Sequence, residues 1–161
     1  MKAADMAQGH PELEQAVARA SKLLHRKALT GAFSSMVPIP GLDWLVDASL
    51  VTRLIPQINA EFGLTPEQIQ RLDPQRQAKI EKAIAAVGTV MVGKFVTRDM
   101  VLRVLRNVGM RMATKQTAKY VPLAGQIAAA SLGYAALRYL GEQHIRDCVR
   151  VSKEAQLHIS A

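Results

Sequence analysis

The chain has 161 residues, with 21 Lys and Arg against 13 Asp and Glu, a formal net charge of +8. That length fits one domain able to bury about 70% of its unfolded surface. Apolar residues make up 49% but aromatics only 4%, which argues against strands; the one cysteine, Cys148, excludes a disulfide framework and argues against a Cys-based zinc site.

The first ten residues read as a frayed terminus, ahead of a single helical domain over 11–161. Residues 1–20 hold Asp5, Glu12 and Glu14 and no apolar core, so no secretory signal is expected and a reducing, cytoplasmic compartment fits. Pro11 is a first-turn proline, and Glu12 and Glu14 suit the positive end of a helix. Leu13, Val17, Ala20 and Leu24 recur at helical spacing, which predicts a helix over about 11–35. Pro38 and Pro40 end it, because proline lacks an N–H and restricts the residue before it, and Gly41 completes the turn.

A second helix is expected over about 42–62, with Asp43 in its first turn, a kink or split at Pro56, and Gly63 as its stop. Thr65-Pro66-Glu67-Gln68 carries a capping-box start for a short helix ending near Leu72. Asp73-Pro74 repeats the start signal. From there a long helix is expected to run through 83–93, eleven uncharged residues that read as buried on most sides. Arg98 to about Thr114 is amphipathic: Val101, Leu105, Val108 and Met112 share one face, and Arg103, Arg106 and Arg111 fall opposite. A second Pro turn, Pro122 to Gly125, leads into a helix from about Leu123 to Leu140, continuing to about Ala155 with a bend near Gly141.

The two turns, Val37-Pro38-Ile39-Pro40-Gly41 and Val121-Pro122-Leu123-Ala124-Gly125, lie 84 residues apart. They predict an all-α, single-domain bundle of five to seven helices built around two Pro/Gly-turn hairpins. The match supports similar local geometry more strongly than a duplication.

The positive charge is localised. Residues 94–119 carry seven basic side chains (Lys94, Arg98, Arg103, Arg106, Arg111, Lys115 and Lys119) and one acidic one, Asp99. A field confined to one segment implies a located partner. Basic residues beside an apolar hairpin suit an anionic lipid surface, at about 1 kcal/mol per residue near an anionic leaflet. A solvated face or an acidic protein partner are the other readings. Nucleic acid ranks below them, since no aromatic residues for base stacking lie among the basic ones.

Tyr120 to Leu137 is uncharged, but Pro122 interrupts it and alanine makes it only modestly hydrophobic. The first apolar stretch holds Asp43, Asp47 and Arg53, each costing about 2.5 to 3.5 kcal/mol at mid-bilayer. A soluble or peripheral bundle is therefore expected over a true span. Gly125, Ala129 and Gly133, spaced by four, offer a close-packing face within the chain or toward a second copy.

No catalytic constellation, metal spacing or cofactor fingerprint is present. His10, His25, His144 and His158 read as surface or capping residues, Cys148 as a packing residue, and Asp43 and Asp47 as a cap and ion-pair partner.

Val37-Pro38-Ile39-Pro40-Gly41-Leu42-Asp43, Phe62-Gly63-Leu64 and the later Val121-Pro122-Leu123-Ala124-Gly125 resemble a bacterial helical domain of unknown function. That domain follows a GTPase module in some proteins, stands alone in others, and is similar to the EcsC-like group. The resemblance covers about residues 28–140. It implies a membrane-associated helical module without assigned catalysis, peripheral to the inner face of the cell membrane. A GTPase could enter only as a partner, since this chain has no such module.

Overall fold

A computed structural model describes residues 2–34, 48–113 and 124–157, and within them all side chains but those at 31–34, 48–49, 105–106, 108–113 and 124–133. Among the described residues seven helices follow in order: α1 (Ala3–Ala7), α2 (Pro11–Ser34), α3 (Ala48–Glu61), α4 (Pro66–Gln70), α5 (Pro74–Val87), α6 (Arg98–Ala113) and α7 (Ala124–Glu154). No strand occurs among the described residues. The all-α, single-domain bundle expected from composition is what forms.

At 31 residues, α7 is about 46 Å long. It is the axis of the bundle: α1, α2, α3 and α5 all pack against it, α2 most extensively, and α6 packs on α3. The reason lies in the side chains. Ala16, Ala20, Leu24 and Ala28 form a fully buried i, i+4 row on α2, and three alanines bring backbones close. On α7, a Cβ built on Gly141 would lie 2.3 Å from Leu24 Cδ1, so only glycine fits where the helices cross. Gly141 is thus a contact point within an uninterrupted helix. Close packing by small residues was expected at Gly125, Ala129 and Gly133; around Gly141 it is visible.

Local signals placed most boundaries. The α4 start has the expected reciprocal box: Gln68 N donates to Thr65 Oγ1 at 3.2 Å, and Thr65 N donates to Gln68 Oε1 at 3.1 Å. Asp73 caps α5 by accepting from Arg76 N. Gly63, at φ +68°, stops α3, and Leu64 N donates to Asn59 O at 2.9 Å to close the end. Pro56 lies inside α3 without splitting it.

Two expectations are corrected. The N-terminus is not frayed: Ala3 and Ala7 are buried, and Ala3 N donates to Glu142 Oε1 of α7 at 3.0 Å. Burial of α1 against α2 and α7 supplies the order that sequence position alone did not. And α5 does not run through 83–93. Gly88, left-handed at φ +70°, ends it, and residues 88–97 form a loop. The uncharged run conceals a helix end because a lone glycine carries the stop. The two Pro turns, with Pro38, Pro40, Gly41 and Pro122, lie outside the described residues; Gly125 belongs to the first turn of α7.

Candidate functional site

The basic segment spans a loop and a helix. Lys94 is exposed on the 88–97 loop, and Arg98 and Arg103 are exposed on α6. Arg106 and Arg111 lie on α6 with side chains outside the described set, and Lys115 and Lys119 lie outside the described residues. The apolar side of α6 is anchored by Val101, fully buried, while Met100, Leu102 and Val104 pack partly against the core. The amphipathic division predicted for this helix therefore holds where it can be seen: apolar residues inward, Arg98 and Arg103 outward.

The loop that leads into α6 is fastened at several points. Met91 O accepts from Asn59 Nδ2 at 3.1 Å, and Met91 and Val92 are buried. Gly93 is left-handed at φ +69°, and a Cβ there would lie 2.7 Å from Ile84 Cδ1 and 3.0 Å from Ile69 Cδ1. Thr97 ends the loop by accepting from Met100 N. Between these anchors two apolar side chains point to solvent, Val90 at 54% and Phe95 at 66% exposure. Beneath Phe95 is a partly open cleft of about 180 Å³, bounded by Pro56, Asn59, Thr65 and Pro66 on one side and Lys94 and Phe95 on the other.

Behind the loop lies a buried polar cluster that sequence reasoning missed. His144 Nε2 and Asn59 Oδ1 are 2.8 Å apart, Cys148 Sγ lies 3.6 Å from the same oxygen, and all three residues are at most 2% exposed. His144 is therefore corrected from a surface or capping residue to a core one, while Cys148 is the packing residue expected. The i, i+4 spacing of His144 and Cys148 was visible, but Asn59 stands 85 residues away from His144.

Cysteine, histidine and asparagine together invite comparison with a thiol hydrolase, and the geometry answers it. Asn59 Nδ2 donates to Met91 O, so Oδ1 is the atom facing His144, and Nε2 must carry the proton. A protonated Nε2, 3.8 Å from Sγ, cannot accept the thiol's proton. Burial pushes the Cys148 thiol well above its ordinary range, so the reactive thiolate is suppressed. His144 Nδ1 is buried with no partner. Burial lowers the imidazole to about 4: a proton added at Nδ1 would place a charge where nothing accepts its hydrogen bond. The cluster holds a neutral His, a neutral Cys and one loop carbonyl in fixed positions.

Of the remaining candidates, His10 and His25 are exposed, as expected. His25 Nδ1 lies 3.4 Å from Tyr134 Oη, linking α2 to α7. Arg53 is exposed on α3; Asp43, Asp47 and His158 lie outside the described residues. Among the described residues no group of three or more His, Cys, Asp or Glu is placed to hold a metal ion, and no helix is long and apolar enough to cross a membrane.

The fold and the loop define a helical bundle that presents a basic, partly apolar surface. No family model, curated protein or solved structure matches this chain, so the reading of that surface rests on its own residues.

Proposed function

We propose that this protein is a non-enzymatic helical module that docks on an anionic membrane surface through its basic 94–119 segment. The observation that carries the reading is the exposure of Lys94, Arg98 and Arg103 on the loop and helix that also expose Phe95. Basic side chains beside an apolar one form the interfacial arrangement, with charge meeting lipid phosphate and the ring meeting the acyl boundary.

Co-sedimentation with vesicles tests it. The protein is expected to pellet with phosphatidylserine-containing vesicles and not with pure phosphatidylcholine, and to be released by high salt. Changing Lys94, Arg98 and Arg103 together to Glu removes three attractions of about 1 kcal/mol each, so binding should fall by at least about 100-fold. The far-UV circular dichroism and melting temperature should not move, because all three are exposed. Equal recovery with both lipids, or none with either, overturns the proposal. An acidic protein, such as a GTPase at the membrane, becomes the occupant of choice if the charge-reversed protein loses a protein partner while the parent ignores both lipids.

A further inference from the structure

We infer that the 88–97 loop is the part of the molecule that enters the bilayer, with Val90 and Phe95 passing below the headgroups and Lys94 and Arg98 holding lipid phosphates at the rim. This rests on the membrane reading above and goes beyond it by naming the penetrating element.

The loop's own packing is the first ground. Of its large apolar residues, Met91 and Val92 are buried and Val96 is partly buried, so the core takes what it can use. Val90 and Phe95 are left as two of the four large apolar side chains exposed among the described residues. A flexible loop could fold such residues back against the protein. This one is held by Asn59 at Met91, by the tight seat of Gly93 and by the Thr97 cap. Exposure of Phe95 is therefore imposed by the fold, and little conformational entropy is lost when the loop is immobilised in lipid.

Charge selects the occupant. Residues 88–98 carry Lys94 and Arg98 and no carboxylate; Asp99, exposed in the first turn of α6, follows Arg98 directly. Glu67, exposed on α4 and lining the same cleft as Lys94, and Asp99 are the carboxylates that contact with the headgroups would have to tolerate. A rigid apolar tip flanked by cations fits an anionic bilayer, whose phosphates lie just outside its acyl chains.

The test uses the full chain and the fact that its one cysteine is buried. Cys148 is 0% exposed, with a thiol pushed well above its ordinary range, so a new surface cysteine can be labelled selectively. Val90→Cys, Phe95→Cys and, as a control on α2, Leu29→Cys each receive an environment-sensitive fluorophore. With phosphatidylserine vesicles, the labels at 90 and 95 should shift to the blue and be quenched by nitroxide lipids, while the label at 29 stays aqueous. Phe95→Ser should weaken partitioning by roughly tenfold, from the lost burial of one aromatic ring, and Leu29→Ser should not. Vesicle binding with aqueous labels at 90 and 95 overturns this inference and leaves the charge-driven docking standing. Absence of vesicle binding, or protection of the labels only by an added acidic protein, overturns both.

Discussion

At Asn59 a single carboxamide serves His144 and Cys148 on α7 and Met91 in the loop. Asn59→Ala leaves the His144 N–H and the Met91 carbonyl unpaired in a site without exposed surface, and each such buried group costs about 1–3 kcal/mol. The expected result is a fall in unfolding free energy of roughly 2–5 kcal/mol, read as a lower urea midpoint. His144 makes the same cluster sensitive to acid. Its imidazole is lowered from 6.5 to about 4, so between those values the unfolded chain binds the proton and the folded one does not. Stability is fully present above pH 6.5 and is lost as pH falls toward 4, by about 3 kcal/mol in all. Urea titrations at pH 7 and pH 4.5 should show that loss, and His144→Leu should flatten it. Asp147, raised by burial, gives a smaller trend of opposite sign at the acid end, because its protonated form is the one the fold favours. None of this was legible along the chain. A histidine near the C-terminus reads as a surface residue until a helix 85 positions earlier closes over it.

At the scale of elements, the signals that worked are those complete within a few residues. Thr65 to Gln68 and Asp73-Pro74 carry their own hydrogen-bond partners, so their caps formed as read. Gly63 and Gly88 both stop helices, but only the first was read as a stop. Gly63 is followed by a new start signal, whereas Gly88 sits in a run whose composition continues unchanged. Gly141 was read as a bend and is a contact: its missing Cβ admits Leu24. Gly141→Ala gains about 1 kcal/mol of helix propensity but forces a methyl into a filled site, which typically costs 1–3 kcal/mol. Because Leu24 is fully buried and cannot swing away, we expect net destabilisation, seen as a lower melting temperature. Leu24→Ala alone should cost about 2–5 kcal/mol by leaving a void. The double variant should be less damaged than the sum of the two, since the new methyl enters part of that void.

For the whole molecule, the distribution of charge decides the outlook. Most of the surplus positive charge lies in 94–119, and Lys94, Arg98 and Arg103 of it face solvent around a braced apolar loop. Binding driven this way falls as ionic strength shortens the screening length, from about 10 Å at 0.1 M to about 3 Å at 1 M. Vesicle association of the parent protein should therefore drop steeply across that range. The Phe95→Ser variant should show a similar salt slope from a lower starting affinity, because the ring contributes no charge. Amino-acid order alone determined the helical class, the caps that complete themselves locally and the concentration of basic residues, since each depends on neighbours within about one turn of helix or on simple counting. Only the tertiary structure decided which glycine is a stop and which a contact, that α1 docks, that His144 is buried and neutral, and that Val90 and Phe95 are left outside. Those outcomes depend on groups far apart in the chain competing for the same interior space, and that competition is resolved only when α7 gathers α1, α2, α3 and α5 around it.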